Sequence, residues 1–189
     1  MKYFKLYNQQ TANPKAGALL HAVEDMVGFT PNIFGVIAES IPALRGFVEL
    51  NNQFSQSSFN ATEIEIIQTA TSVENQCTYC VAGHTAFAQM AKVPSHIIEA
   101  IRKDQKIDDP RLEALNQFTR TLVRSKGMIS SKAQDDFIAA GFTPAQILEV
   151  ILGVCVKTFS NLTNNTIGIP LDNEFKPYQW QPIVTGKVA

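Results

Sequence analysis

The sequence has little of what marks several common protein classes. It holds three cysteines in 189 residues, Cys77, Cys80 and Cys155, an odd number and too few for a disulfide-stapled scaffold. Charged residues make up 17% and the formal net charge is −1. Lys and Arg are scattered, so no basic block faces nucleic acid or an anionic membrane. No glycine-rich phosphate loop or flavin fingerprint is present, which leaves no bound cofactor to supply electrons. The opening stretch, "MKYFKLYNQQTANPKAG", lacks the uninterrupted apolar run of a signal peptide. No segment approaches the roughly 18 apolar residues of a membrane span. These absences predict a cytoplasmic protein without a membrane or nucleic-acid partner. No run alternates apolar and polar residues as a half-buried strand does, so the expected fold class is all-α.

Enough apolar material is present for a real core, since hydrophobic residues make up 45%, and the length suits a single domain over 1–189. "AGALLHAVEDMVGF" sets Leu19, Leu20, Val23, Met26 and Val27 on one helical stripe. Asn60 followed by Glu63 reads as a capping box opening "ATEIEIIQTATSV". "RLEALNQFTRTLVRSKG" is strongly amphipathic, with Gly127 as its stop. "TPAQILEVILGVCVKTFSNLTNNT" is long and apolar and is expected to be buried on most sides, with Cys155 as inert core. "FNATEIEII" and "FTPAQILEVI" echo each other, which suggests two related helical units. The Pro-rich ending, with Phe175, Tyr178 and the single Trp, is expected to be irregular and to pack on a surface. Phe29, Phe34 and Phe47 read as core or subunit contacts, and His21 and His96 as surface or capping residues.

The chemistry concentrates in "ENQCTYCVAGHTAF". On a helix, Cys77, Cys80 and His84 share one stripe. Haem attachment needs His directly after the second Cys, where Val81 stands. A structural zinc site needs four ligands, and Cys155, His21 and His96 lie far apart in sequence. A redox dithiol remains the leading reading, with zinc or chance burial as the alternatives. Two cysteines one turn apart close a small ring, a helix N-terminus favours thiolate, and His84 lies one turn beyond Cys80 to take its proton. An acid on the preceding helix would orient His84. Glu63, Glu65 and Glu74 are the candidates. Glu63 serves the cap, Glu74 sits in a turn open to solvent, and Glu65 is the odd charge among Ile64, Ile66 and Ile67.

"VENQCTYCVAGHTAFAQMAKV", with the preceding "TEIEIIQTATS", resembles the alkylhydroperoxidase D-like branch of the carboxymuconolactone decarboxylase superfamily, most strongly over about residues 44–103. The closing segment resembles that of the longer peroxidase-related members. The resemblance implies an all-α alkylhydroperoxidase D-like helical bundle and a homo-oligomer, commonly a trimer or hexamer. It implies a thiol-dependent reduction of hydroperoxides, with a separate dithiol protein as reductant. The family's relay would fall on Glu65, Cys77, Cys80 and His84, with no metal. One departure stands out: the best-known members carry a second histidine next to the second cysteine, and this chain has Tyr79. Decarboxylase activity is disfavoured, because that branch lacks the cysteine pair. A non-enzymatic redox-sensing or binding module using the same pair is the alternative function. Of the two sulfurs, the helix dipole favours Cys77 by roughly 0.3–1 kcal/mol. The nearby base favours Cys80 by about 10²–10⁴-fold, which makes Cys80 the expected attacking thiolate and Cys77 its resolving partner.

Overall fold

The computed structural model describes residues 1–183. These residues form helices and no strand, as the absence of alternating patterns predicts. In chain order the helices are α1 (Pro14–Val27), α2 (Asn32–Ile37), α3 (Ile41–Ser55), α4 (Ala61–Glu74), α5 (Thr78–Met90), α6 (Ser95–Arg102), α7 (Pro110–Arg124), α8 (Ser131–Ala139) and α9 (Pro144–Ile167), followed by a single 3₁₀ turn at Lys176–Tyr178.

α4 is the axis of the bundle: α5, α6, α7 and α9 all pack on it, and α3 packs on α9. Its sequence explains the position. Ile66, Ile67, Ala70, Thr69, Thr71 and Ser72 are all buried, because a stretch of apolar and small hydroxyl residues can be covered on every side. Thr71 and Ser72 satisfy their hydroxyls on the carbonyls one turn back, Ile67 and Gln68. The capping box at its start is formed: Asn60 Oδ1 accepts from the Glu63 N–H at 3.0 Å, and Glu63 Oε2 accepts from the Asn60 N–H at 2.9 Å. The echo noted in the sequence reappears at α9, where Thr143 and Gln146 form the same box. The aromatic residues before the two boxes, Phe59 and Phe142, lie 6.2 Å apart.

Several sequence expectations need correction. α9 is not covered on most sides. Leu148 and Leu162 are 68% and 62% exposed and Ile151 is exposed too. Their spacing puts them on one outward stripe with Cys155, which is exposed rather than core. α9 is also long and apolar enough to cross a membrane by length and composition, with mean hydropathy 1.3. Its other face is wedged against α3 and α4, as in the core helix of a bundle. On α1, Leu20 and Val23 face inward but Met26 is exposed. The tail does pack, as expected: Phe175 is buried edge-on against Tyr79, Phe87 and Phe29. It fits there because Gly83 leaves room, a Cβ at that position falling 3.1 Å from the ring. Trp180 Nε1 donates to the Arg102 carbonyl at 2.9 Å.

The tightest helix contact rests on Gly153 of α9. A Cβ there would lie 2.5 Å from the Phe54 ring and 2.8 Å from Ile67. Gly153→Ala should therefore destabilise the fold by about 1–3 kcal/mol despite the better helix propensity of Ala. Urea unfolding should show a lower midpoint at an unchanged slope, and an unchanged or higher midpoint would mean that α3, α4 and α9 pack less closely.

Candidate active site

The site begins at the turn between α4 and α5. Gln76 adopts a left-handed φ of 52°. Its N–H donates to the Val73 carbonyl at 3.0 Å and the Cys77 N–H donates to the Ser72 carbonyl at 2.9 Å. This pair of bonds is a Schellman stop for α4. The residue that completes the stop, Cys77, is also the N-cap of α5, with its Sγ accepting from the Cys80 N–H at 3.3 Å. One tight turn thus sets the pair at the start of a helix, with Cα atoms 5.3 Å apart and the sulfurs at disulfide distance. α9 fastens the turn. Asn161 Oδ1 accepts from Asn75 Nδ2 at 2.9 Å, Asn165 Nδ2 donates to the Asn75 carbonyl at 2.8 Å, and Asn164 Nδ2 reaches Cys77 Sγ at 3.4 Å.

His84 lies one turn beyond Cys80 on α5, and α4 runs beside it. Its Nδ1 meets Glu65 Oε2 at 2.9 Å, and both residues are only 9% exposed. On the other side of the ring, Nε2 faces the ammonium of Lys157 from α9, itself 6% exposed. The network assigns the tautomer: Nδ1–H donates to Glu65 and Nε2 accepts from Lys157. Burial, then the charge of Lys157, pushes His84 below its ordinary value, and Glu65 opposes this. Burial likewise lowers Lys157 to about 7, again opposed by Glu65. At neutral pH this buried chain holds a neutral imidazole and an amine poised to gain or lose a proton.

Two spaces meet at His84. A crevice of about 50 Å³ is bordered by Tyr79, Cys80, His84, Lys157 and Ser160. A cavity of about 230 Å³, mainly apolar with Val23, Val48 and Phe54 in its wall, reaches Glu65, Gln68 and His84. Phe34 and Asn51 border both. Tyr79 is tied away from proton transfer. Its hydroxyl donates to Asp172 Oδ2 and accepts from the Ile33 N–H at 3.2 Å, while Asp172 Oδ1 accepts from the Asn32 N–H at 2.9 Å. Burial and the neighbouring carboxylate push the phenol well above its ordinary value, so it stays protonated.

The structure brings together Glu65, His84, Cys80 and Cys77, the four residues singled out from the sequence. It leaves out His21 and His96, which are exposed, and Cys155. Glu63 serves the cap and pairs with Arg111. Glu74 is not solvated as expected: it is paired with the buried Arg120 at 3.0 Å and with Arg124 at 2.6 Å. Lys157, Asn164 and Asp172 were missed. Lys157 carried a usable signal, being the lone charge in "ILGVCVKTF" just as Glu65 is in its own apolar run. Among the described residues no group of three or more His, Cys, Asp or Glu is placed to hold a metal ion.

A Glu–His pair beside a CxxC turn on two adjacent helices is the arrangement that the sequence resemblance implies. Residues 42–117 match the profile of the carboxymuconolactone decarboxylase family. Glu65, both cysteines of the pair and His84 lie inside that segment, and Lys157 lies outside it. No curated protein matches the chain. Among solved structures, an alkylhydroperoxidase AhpD core described as an uncharacterized peroxidase-related protein from Ralstonia eutropha JMP134 superposes with a TM-score of 0.81 at 22% identity, over 91% of this chain and 93% of that one. A peroxidase-related protein from Silicibacter sp. TM1040 gives 0.76 at 17% identity, over 86% and 87%. The debrominase Bmp8, solved in complex with 2,3,4-tribromopyrrole, gives 0.76 at 15% identity, over 87% and 89%. The fold is therefore the alkylhydroperoxidase D-like helical fold, and the solved structures that share it include both peroxidase-related proteins and a debrominase.

Lys157 generates a pH prediction. Its folded value lies below the ordinary 10.5, so between about 7 and 10.5 the unfolded chain binds more protons and this group makes stability rise with pH. Lys157→Met should lose that rise. The stability difference between variant and wild type should shift in favour of wild type from about pH 7 to about pH 9. Urea midpoints at the two values check this, and parallel pH curves would show that Lys157 titrates as an ordinary lysine.

Proposed function

We propose that the protein is a thiol-dependent peroxidase whose Cys77–Cys80 pair cycles between dithiol and disulfide. The supporting observation is the adjacency of that pair, at disulfide distance, to the buried Glu65–His84–Lys157 chain, with Cys80 alone of the two sulfurs bordering the crevice shared with His84 and Lys157. Cys80 gives its proton to this chain and attacks the terminal oxygen of a hydroperoxide. The O–O bond breaks, the alcohol leaves with a proton, and Cys80 becomes a sulfenic acid. Cys77 then attacks that sulfur, water leaves, and the disulfide forms. Glu65 stabilises the imidazolium that develops on His84. Tyr79, held by Asp172, takes no proton, so His84 and Lys157 carry the proton transfer. The apolar cavity beside His84 suits an organic hydroperoxide.

A separate dithiol protein closes the cycle. Self-association, in a trimer or hexamer, is part of the proposal: the outward stripe of Leu148, Ile151 and Leu162 is apolar surface of the kind that subunits cover. A cytoplasmic setting fits an exposed Cys155 that has no partner thiol among the described residues.

Steady-state consumption of an organic hydroperoxide with several dithiol reductants tests the reading. Turnover supports it, and one oxidation event per chain without turnover selects the redox sensor instead. A parallel arm with 2,3,4-tribromopyrrole tests whether a carbon–halogen bond is the electron acceptor. Glu65→Gln should fold and slow peroxide oxidation by about 10²-fold. After one equivalent of peroxide, a sulfenic-acid probe should label Cys80 in Cys77→Ser and leave Cys80→Ser unlabelled. Labelling of Cys77 in the latter would reverse the two roles.

A further inference from the structure

The two sulfurs of the pair stand in different surroundings. Cys77 Sγ accepts two N–H groups, the Cys80 backbone amide at 3.3 Å and the Asn164 side-chain amide at 3.4 Å. Among the described residues no donor is bonded to Cys80 Sγ. Asn164 is buried and held in place, its Oδ1 accepting from the Ile169 N–H at 3.3 Å and its Nδ2 also reaching Asn165 Oδ1 at 3.3 Å. Cys77 is fully enclosed, whereas Cys80 borders the crevice.

We propose that Asn164 is a positioning residue that, with the N-terminus of α5, holds Cys77 as a thiolate. Cys77 is then the sulfur that leaves when the disulfide is reduced, and Cys80 is the sulfur that the external dithiol attacks. This rests on the pair being a redox centre and not on peroxide being the substrate.

The physical argument is one of unequal leaving groups. N–H bonds to an anionic acceptor are about twice as strong as bonds to a neutral one, so both donors on Cys77 favour its thiolate over its thiol. A thiol of lower pKa leaves faster in exchange. A reductant thiolate attacks Cys80 Sγ, a bond forms between those two sulfurs, and the Cys77–Cys80 bond breaks with its electron pair on Cys77. The reductant's second thiolate then attacks its own sulfur in the mixed disulfide and expels Cys80, so the reductant is oxidised by two electrons and the pair is reduced by two. The charged groups around the turn are paired with one another, and none is bonded to Cys77 Sγ. Glu74 is engaged by Arg120 and Arg124, and Asp172 by Tyr79. Glu65, His84 and Lys157 are bonded to one another.

The test uses reduced protein carrying Cys80→Ser and Cys155→Ser, in which Cys77 is the one remaining thiol. Its ultraviolet thiolate absorbance should titrate below the ordinary thiol value of about 8.5. Adding Asn164→Ala should move that titration up by about one pH unit. Asn164→Asp retains the acceptor for the Ile169 N–H and should move it further, because a carboxylate then faces the sulfur. In protein with all its cysteines, Asn164→Ala should make the disulfide harder to reduce by about tenfold, roughly 30 mV for this two-electron couple. Brief treatment of the oxidised protein with glutathione, then alkylation and mass mapping, should find glutathione on Cys80 and the alkyl group on Cys77. An unmoved Cys77 titration in both folded Asn164 variants, or glutathione on Cys77, would overturn the proposal. No peroxide enters these measurements, so they can fail or succeed independently of the peroxidase reading.

Discussion

The carboxylate of Glu65 and the imidazole of His84 are both about nine-tenths buried, and each needs the other there. A carboxylate inside an apolar helix is costly unless it is bonded, and a buried histidine has no reason to settle on one tautomer unless a neighbour holds it. Their 2.9 Å contact fixes α5 against α4 in both distance and rotation. Because Cys80 is one turn from His84 on the same helix, the contact also fixes where the cysteine pair sits relative to a base. The Schellman turn at Gln76 follows from the same geometry: it is the short connection that lets α5 double back along α4 at that rotation.

α9 supplies what the first two helices lack. Lys157 occupies the second ring nitrogen of His84, Asn161 and Asn165 hold the turn, and Asn164 meets Cys77. These contacts require α9 to approach α4 and α3 closely, which Gly153 permits. The tail closes the arrangement from the other side, with Asp172 taking the Tyr79 hydroxyl and Phe175 lying on Gly83. Tyr79 is thereby a structural residue, and a lysine on another helix supplies the second titrating group beside His84.

Much of this was legible in the sequence because it is local. The CxxC–His spacing needs only helical periodicity, the capping box at Asn60 needs three residues, and Glu65 shows itself as one charge among isoleucines. What escaped depends on contacts across the chain. Glu74 looked solvated because nothing within its own helix pairs with it; its partners, Arg120 and Arg124, come from α7. The apolar run around Cys155 looked buried because composition does not reveal which stripe of a long helix faces outward. Lys157 is a lone charge in an apolar run as Glu65 is, but it lies on α9, 73 residues beyond His84, and only the folded chain brings the two together. Asn164 and Asp172 carry no local signal at all, since an Asn near a helix end and an Asp in a Pro-rich tail ordinarily serve caps and turns.

The central claim is that the buried chain and the cysteine pair form one two-electron centre. It is tested most directly by a single turnover. Reduced protein is mixed with one equivalent of an organic hydroperoxide, and thiols are counted and mapped. The account predicts rapid loss of two thiols per chain, recovered as one peptide pair linking Cys77 to Cys80, with Cys155 still free and one alcohol formed for each disulfide. Oxidation no faster than that of a free small dithiol, or oxidation that falls on Cys155, would contradict it.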